Sequence, residues 1–259
     1  MFRNIINASR CTFIVRRQLH NHLALNAEHA LSFALNTPFM GKKDASEMHN
    51  INALYKRFSE NPRFTSKFQN YVHSGAKCPH TGKNNPPHDF ICIQDSNKQL
   101  SVKTVQTNKL WKICPQNIGQ ITRARFCSYF KLHLNSSDVQ IKQFIEAYPD
   151  IIVANCFENT FHVPLLFYYK KDDVCLYIER SLTKSITWKE YQYSFSHIRK
   201  NRGWSESTSL SVNSNVPQYE KTQSLCEIQL HQHRNCVKFR FCLRTILSEF
   251  GDYFTVEKW

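Results

Sequence analysis

The chain has 259 residues, 41% hydrophobic and 13% aromatic, which is enough apolar material for a packed core and too much for a disordered chain. Lys and Arg number 34 against 20 Asp and Glu, and the resulting charge of +14 is spread along the whole length, so polyanions are the natural partners, nucleic acid before anionic lipid. No run approaches the roughly 20 uninterrupted apolar residues needed to cross a bilayer, which excludes a membrane-spanning helix.

The ten cysteines contain no CxxC pair. Cys92, Cys175, Cys236 and Cys242 lie in apolar or alternating runs, where a free thiol behaves as a small core residue. A reducing, cytoplasmic setting is therefore expected in preference to a disulfide framework.

Residues 1–20 carry Arg3, Arg10, Arg16 and Arg17, and no acid precedes Glu28. This composition suits either a mitochondrial presequence or a basic arm lying on DNA. Residues 22–36 place Leu23, Ala27, Ala30, Leu31 and Ala34 at helical spacing, with Glu28 near the polar edge of that stripe. A second helix is expected over 46–59, capped by Ser46, with Met48, Ile51, Leu54, Tyr55 and Phe58 on one side. A third is expected over 65–72. The Gly-, Pro- and Asn-rich residues 74–88 read as a loop.

Further on, Ser137 or Asp138 caps a helix reaching Tyr148. Residues 151–157 read as a buried strand, and 161–182 as a hairpin turning at Lys170-Lys171-Asp172-Asp173. Trp188, Tyr191, Phe195 and Ile198 suggest a helix over 186–200, and the Ser-rich residues 203–224 suggest a surface loop. The last element is a hairpin over 226–247 turning at Arg234-Asn235. Together these elements predict an α+β fold, a mixed central β-sheet flanked by helices.

The richest chemistry lies between His88 and Gln120. Phe90–Gln94 and Lys98–Thr104 read as antiparallel strands joined by the three-residue loop Asp95-Ser96-Asn97. In that register Asp89 stands across from Lys103, and Ile91 across from Ser101. Phe90, Cys92, Leu100 and Val102 share the other, apolar face. An aspartate beside a lysine at a hairpin end suits metal-assisted phosphodiester hydrolysis. The carboxylate holds a hard cation through oxygen, and the lysine orients water and offsets charge on the phosphorane-like transition state.

Asp89, eleven intervening residues and Ser101-Val102-Lys103 resemble the active-site hairpin of the PD-(D/E)xK nuclease superfamily, most closely type II restriction endonucleases. Pro87-His88-Asp89 resembles the family's Pro-Asp corner with a histidine inserted. Ser101 stands where the family usually has an acid, as in its SxK subgroup. The resemblance implies a Mg²⁺-dependent endonuclease cutting double-stranded DNA at a specific sequence, acting as a homodimer. It implies Asp89 as metal ligand, Lys103 as catalytic lysine and Ser101 in support. Gln116, Gln120 or Glu28 would complete the site, Glu28 matching the family's glutamate on a preceding helix. It further implies one nuclease-like domain over 22–259, with a catalytic core at about 22–157 and a DNA-contacting part at about 158–259, preceded by a basic segment at 1–21.

Lys109, Lys112, Arg123, Arg125, Arg199, Lys200 and Arg202 are the candidates for holding DNA phosphates, contacts that position a duplex without reading it. Other patterns compete. Cys78, His80, His88 and Cys92 have zinc-ligand chemistry in a spacing unlike common fingers, and His20-Asn21-His22 superficially suggests an HNH nuclease. His231 and His233 alternate on one strand face. Two further readings are a binding protein that keeps the nuclease fold without chemistry, and an organelle-imported repair nuclease.

Overall fold

In a computed structural model of the chain, residues 23–41, 48–74, 88–212, 223–231 and 233–259 are described. The basic segment 1–21, Ser46, Cys78, His80, Pro87 and the His20-Asn21-His22 motif lie outside them. Among the described residues no helix is long and apolar enough to cross a membrane. The chain divides into two compact units. One comprises residues 1–107, 163–178 and 256–259, and the other 108–162 and 179–255.

In the first unit, α1 covers residues 23–34. It ends where Asn36 takes a left-handed conformation at φ 52°. The Thr37 N–H then reaches back to the Ser32 carbonyl at 2.9 Å, closing the last turn as a Schellman-type cap. Asparagine is one of the few residues that adopts this conformation cheaply.

Helix α2 spans Met48–Ser59 and α3 spans Pro62–Phe68. The third helix therefore starts and stops earlier than the sequence suggests. Asn61 caps it by accepting from the Arg63 and Phe64 amides, Pro62 sits in the first turn, and Tyr71–His73 leaves to form strand β1. Tyr55 turns outward at 42% exposure, so it does not join the buried side of α2.

The strands β2 (Phe90–Cys92), β3 (Gln99–Val105), β6 (Leu165–Tyr169), β7 (Val174–Arg180) and β12 (Phe254–Lys258) join β1 in a six-stranded sheet ordered β1-β2-β3-β6-β7-β12. β3 and β6 run parallel, with Ser101 opposite Leu165 and Val105 opposite Tyr169. β1–β2, β2–β3 and β6–β7 are antiparallel, so the sheet is mixed. The β6–β7 hairpin turns as the sequence indicates, with Asp173 at φ 50°.

Phe90, Leu100, Val102, Leu166, Tyr168, Cys175 and Tyr177 of this sheet pack with Leu31, Leu54, Phe58, Phe64 and Phe68 of the helices in one core. Burial pushes the Cys175 thiol up to about 12, as suits a core residue. All described cysteines are free thiols.

In the second unit, the strands β4 (Lys112–Ile113), β8 (Tyr193–Phe195), β9 (Ser207–Val212), β10 (Gln223–His231) and β11 (Cys236–Cys242) form a sheet ordered β4-β11-β10-β9-β8, with β5 (Gln120–Thr122) also on β11. The β10–β11 hairpin is as expected, but Leu243–Glu249 continues as helix α8. α4 covers Arg123–Tyr129. α5 covers Asp138–Ala147 and begins with a complete capping box between Ser137 and Gln140.

Three sequence expectations are corrected in this unit. Residues 151–157 are helical, within α6 (Pro149–Phe161), and not a strand. Pro149 opens the helix, and its buried residues Ile152, Val153, Cys156, Phe157, Thr160 and Phe161 fall at helical intervals only when the window extends past 157. Residues 186–200 are a 3-10 turn at Trp188–Glu190, then β8, then the short helix α7 (Ser196–Arg199). The Ser-rich stretch contains β9, which is hydrogen-bonded on both sides, by β8 and β10. Its small polar residues are therefore compatible with a buried strand.

Candidate active site

The hairpin register places the site. β2 and β3 pair Phe90 with Leu100 and Ile91 with Gln99, two residues away from the register expected from a three-residue loop. The pairing closes at the Cys92 N–H to Lys98 carbonyl bond of 2.9 Å, and the connection beyond it is a five-residue loop, Ile93 to Asn97. Two bonds account for the longer loop, one to a distant strand-flanking residue and one within the loop. The Ile93 N–H turns to the Asn70 carbonyl at 2.8 Å, and Asp95 accepts from the Asn97 amide at 3.1 Å.

A shift of two preserves which face each side chain occupies. Asp89, Ser101 and Lys103 therefore still alternate with the buried Phe90, Leu100 and Val102. The partner of Asp89 changes, and it is Ser101, not Lys103.

Asp89 sits at a bend before β2, where its N–H donates to the Leu100 carbonyl at 3.0 Å. Its Oδ2 accepts from the Ser101 hydroxyl at 3.0 Å and from the Val102 amide at 2.6 Å. Ser101 is fully buried and anchored by its own amide to the Pro164 carbonyl at 2.9 Å, so a rigid central strand holds the carboxylate. Among the described residues both bonds fall on Oδ2, so Oδ1 keeps its lone pairs for another ligand.

Glu28 on α1 is buried at 8% exposure, not on a polar helix edge as the sequence suggests. Its Oε2 lies 3.1 Å from Nε2 of His73 on β1. Burial pushes the Glu28 carboxyl above its ordinary range. The negative charge of Asp89 adds to that rise, while the His73 hydrogen bond and charge and the Lys103 ammonium oppose it. Asp89 and Lys103 thus both act electrostatically on Glu28, and the first unit gathers Glu28, His73, Asp89, Ser101 and Lys103.

His73 carries no signal in the sequence. It ends a three-residue strand where the sequence suggests the run-out of a helix, and only its pairing opposite Phe90 carries it to the site. Beside Asp89, burial holds His88 below the ordinary histidine value, opposed by the Asp89 charge and by a hydrogen bond with Gln99.

The residue types fit a hard divalent cation. The two carboxylates could supply oxygen ligands, and a bound cation would offset the desolvation cost and the like-charge repulsion that raise Glu28. Among the described residues no group of three His, Cys, Asp or Glu side chains is placed to hold a metal ion. One or two carboxylates with substrate phosphates are the usual complement for Mg²⁺.

Gln116 and Gln120 belong to the second unit. The backbone N–H of Gln116 donates to the Asn159 carbonyl at 3.0 Å, and Gln120 is exposed on β5 opposite Lys238.

The basic residues divide by environment. Lys112 pairs with Glu227 at 3.1 Å and Arg123 with Asp138 at 2.8 Å, so both are engaged within the second unit. Lys109, Arg125, Arg199, Lys200 and Arg202 are exposed. On β10, His231 bonds Glu206 at 2.9 Å and Gln229 at 3.1 Å, which accounts for it as part of a polar network on the sheet.

No family model matches the chain, and no solved structure matches it. The chain is 30% identical over 177 residues to the type II restriction enzyme CviAII of Paramecium bursaria Chlorella virus 1, a stretch covering 68% of this chain and 48% of that protein. The chain spans about half the length of the curated relative it matches. Over two-thirds of its own length, it is similar to a type II restriction enzyme.

Proposed function

We propose that the chain is a Mg²⁺-dependent type II restriction endonuclease of the PD-(D/E)xK kind, hydrolysing phosphodiester bonds in double-stranded DNA at a specific sequence. The observation that carries this reading is the hairpin geometry, in which Ser101 and Val102 pin one oxygen of Asp89 and the buried Glu28–His73 pair is joined to the strand of Asp89 through the His73–Phe90 pairing. The similarity to a viral restriction enzyme supports the same class.

Asp89 and Glu28 would hold the cation, which when bound polarises the phosphate and lowers the pKa of coordinated water. Ser101 fixes the rotamer of Asp89. The Lys103 ammonium orients the attacking water and offsets the charge that builds as the new P–O bond forms and the ester P–O bond breaks. Glu28 takes the place of the second acid missing from the hairpin, and the amides of Gln116 and Gln120 are not needed for charge.

Exposed Lys109, Arg125, Arg199, Lys200 and Arg202 supply phosphate contacts. A homodimer would match its two-fold symmetry to a palindromic site.

Incubation of the purified chain with phage DNA and Mg²⁺ tests the proposal. Discrete fragments that vanish in Asp89→Ala and Lys103→Ala are expected. Tight DNA binding without cutting would overturn it in favour of a binding protein on the same fold.

A further inference from the structure

Resting on the nuclease reading, we infer that His73 is a positioning residue that holds the Glu28 carboxylate in the orientation in which it joins Asp89 at the cation. The two side chains form a buried pair, His73 at 1% and Glu28 at 11% side-chain exposure, with 3.1 Å between Nε2 and Oε2. A buried carboxylate on a flexible side chain has several rotamers open to it. A single donor of fixed direction selects among them and leaves the second oxygen for another ligand.

That direction is fixed because the imidazole is clamped. Phe39 lies 4.9 Å from it, tilted by 60°, and Phe90 meets it edge-on at 5.1 Å.

The clamp is also tied to the other carboxylate. His73 pairs with Phe90 across β1–β2, one residue from Asp89. The next residue, Ser74, donates its amide to the Asp89 carbonyl at 2.9 Å. Its hydroxyl reaches the carbonyls of His88 at 2.8 Å and Asp89 at 2.9 Å. One short piece of backbone therefore sets both Asp89 and the donor that orients Glu28. This joins a residue from α1 to a hairpin more than fifty positions away in sequence.

Phenylalanine at position 73 would keep the aromatic packing and remove only the hydrogen bond, and glutamine would keep a donor near the position of Nε2. The test measures Ca²⁺ binding by calorimetry on the full-length chain without DNA, alongside cleavage as a function of Mg²⁺. The proteins are wild type, His73→Phe, His73→Gln and Asp89→Ala.

The expected result for His73→Phe is cation affinity weakened about 10–100-fold, the usual effect of removing a partner that orients a ligand. Its Mg²⁺ half-saturation should rise by a similar factor, while DNA affinity in EDTA stays unchanged. His73→Gln should recover most of the loss. Wild-type cation affinity in His73→Phe, or equal losses in the Phe and Gln variants, would overturn the inference.

A cycle with Glu28→Gln gives a second route, with the urea midpoint of each variant separating loss of fold from loss of cation affinity. The double variant Glu28→Gln/His73→Phe should lose no more cation affinity than Glu28→Gln alone, and additive losses would count against the inference. A wild-type chain that binds no cation and cuts no DNA would bring down the nuclease reading itself. Wild-type cutting that is abolished in Asp89→Ala but unaltered in His73→Phe would bring down only the role of His73.

Discussion

Asp89 is both a structural acceptor and the proposed cation ligand, and two substitutions separate these roles. Asp89→Ala removes the acceptor of the Ser101 hydroxyl and the Val102 amide, bonded at 3.0 and 2.6 Å, at a fully buried serine. A hydrogen bond to an ionised acceptor contributes about 1.5–3 kcal/mol. Because the two share Oδ2 they are coupled and do not simply add, so about 3 kcal/mol is expected for the pair. For a chain of this size that corresponds to a fall in Tm of roughly 6–12 °C.

Asp89→Asn keeps an oxygen that accepts both bonds, so it should cost about 1 kcal/mol or less. The assay is urea denaturation followed by fluorescence, comparing midpoints at equal slope, with cleavage measured on the same preparations. Under the proposed function, the asparagine variant should be nearly as stable as wild type and yet inactive, because it lacks the negative charge that holds the cation. An alanine variant within about 0.5 kcal/mol of wild type would refute the reasoning that the β3 backbone is built around this carboxylate.

Glu28 makes stability depend on pH. Its folded pKa lies above the ordinary 4.5, so the folded chain keeps the proton longer than the unfolded one. The contribution is therefore fully present below that ordinary value and is lost as pH rises through the raised folded value. Urea midpoints measured upward from pH 4 should fall more steeply in wild type than in Glu28→Gln, and parallel curves would count against the burial argument. Ser137→Ala, which opens the capping box of α5, should cost about 1 kcal/mol by thermal unfolding. Phe64→Ala, at 0% exposure in the core of the first unit, should cost about 3–5 kcal/mol. Replacing Arg199, Lys200 and Arg202 together by Ala should reduce the slope of log affinity for DNA against log salt by about 0.9 for each phosphate the cluster no longer neutralises. An unchanged slope would remove this cluster from the interface.

Local chemistry made part of this protein legible in the sequence. The two faces of the Asp89–Lys103 hairpin follow from side-chain alternation, which survives the two-residue change in register. The Ser137 cap and the turns near Asp173 and Asn235 are written in residues that suit one backbone geometry and few others. The α+β class follows from the mixture of these periods.

Only the tertiary structure decided what depends on distant partners. The loop length of the hairpin was set partly by Asn70, which takes the Ile93 amide and so gives Asp89 to Ser101. Residues 151–157 belong to a helix whose buried positions recur at helical intervals on to Phe161, and the apolar run within 151–157 alone reads equally well as a strand. The parallel pairing of β3 with β6 spans more than sixty residues and leaves no local trace. The meeting of Glu28 with His73 is of the same kind. Only the family resemblance singles out Glu28 in the sequence and nothing singles out His73, and their burial against each other is a contact between elements far apart in the chain.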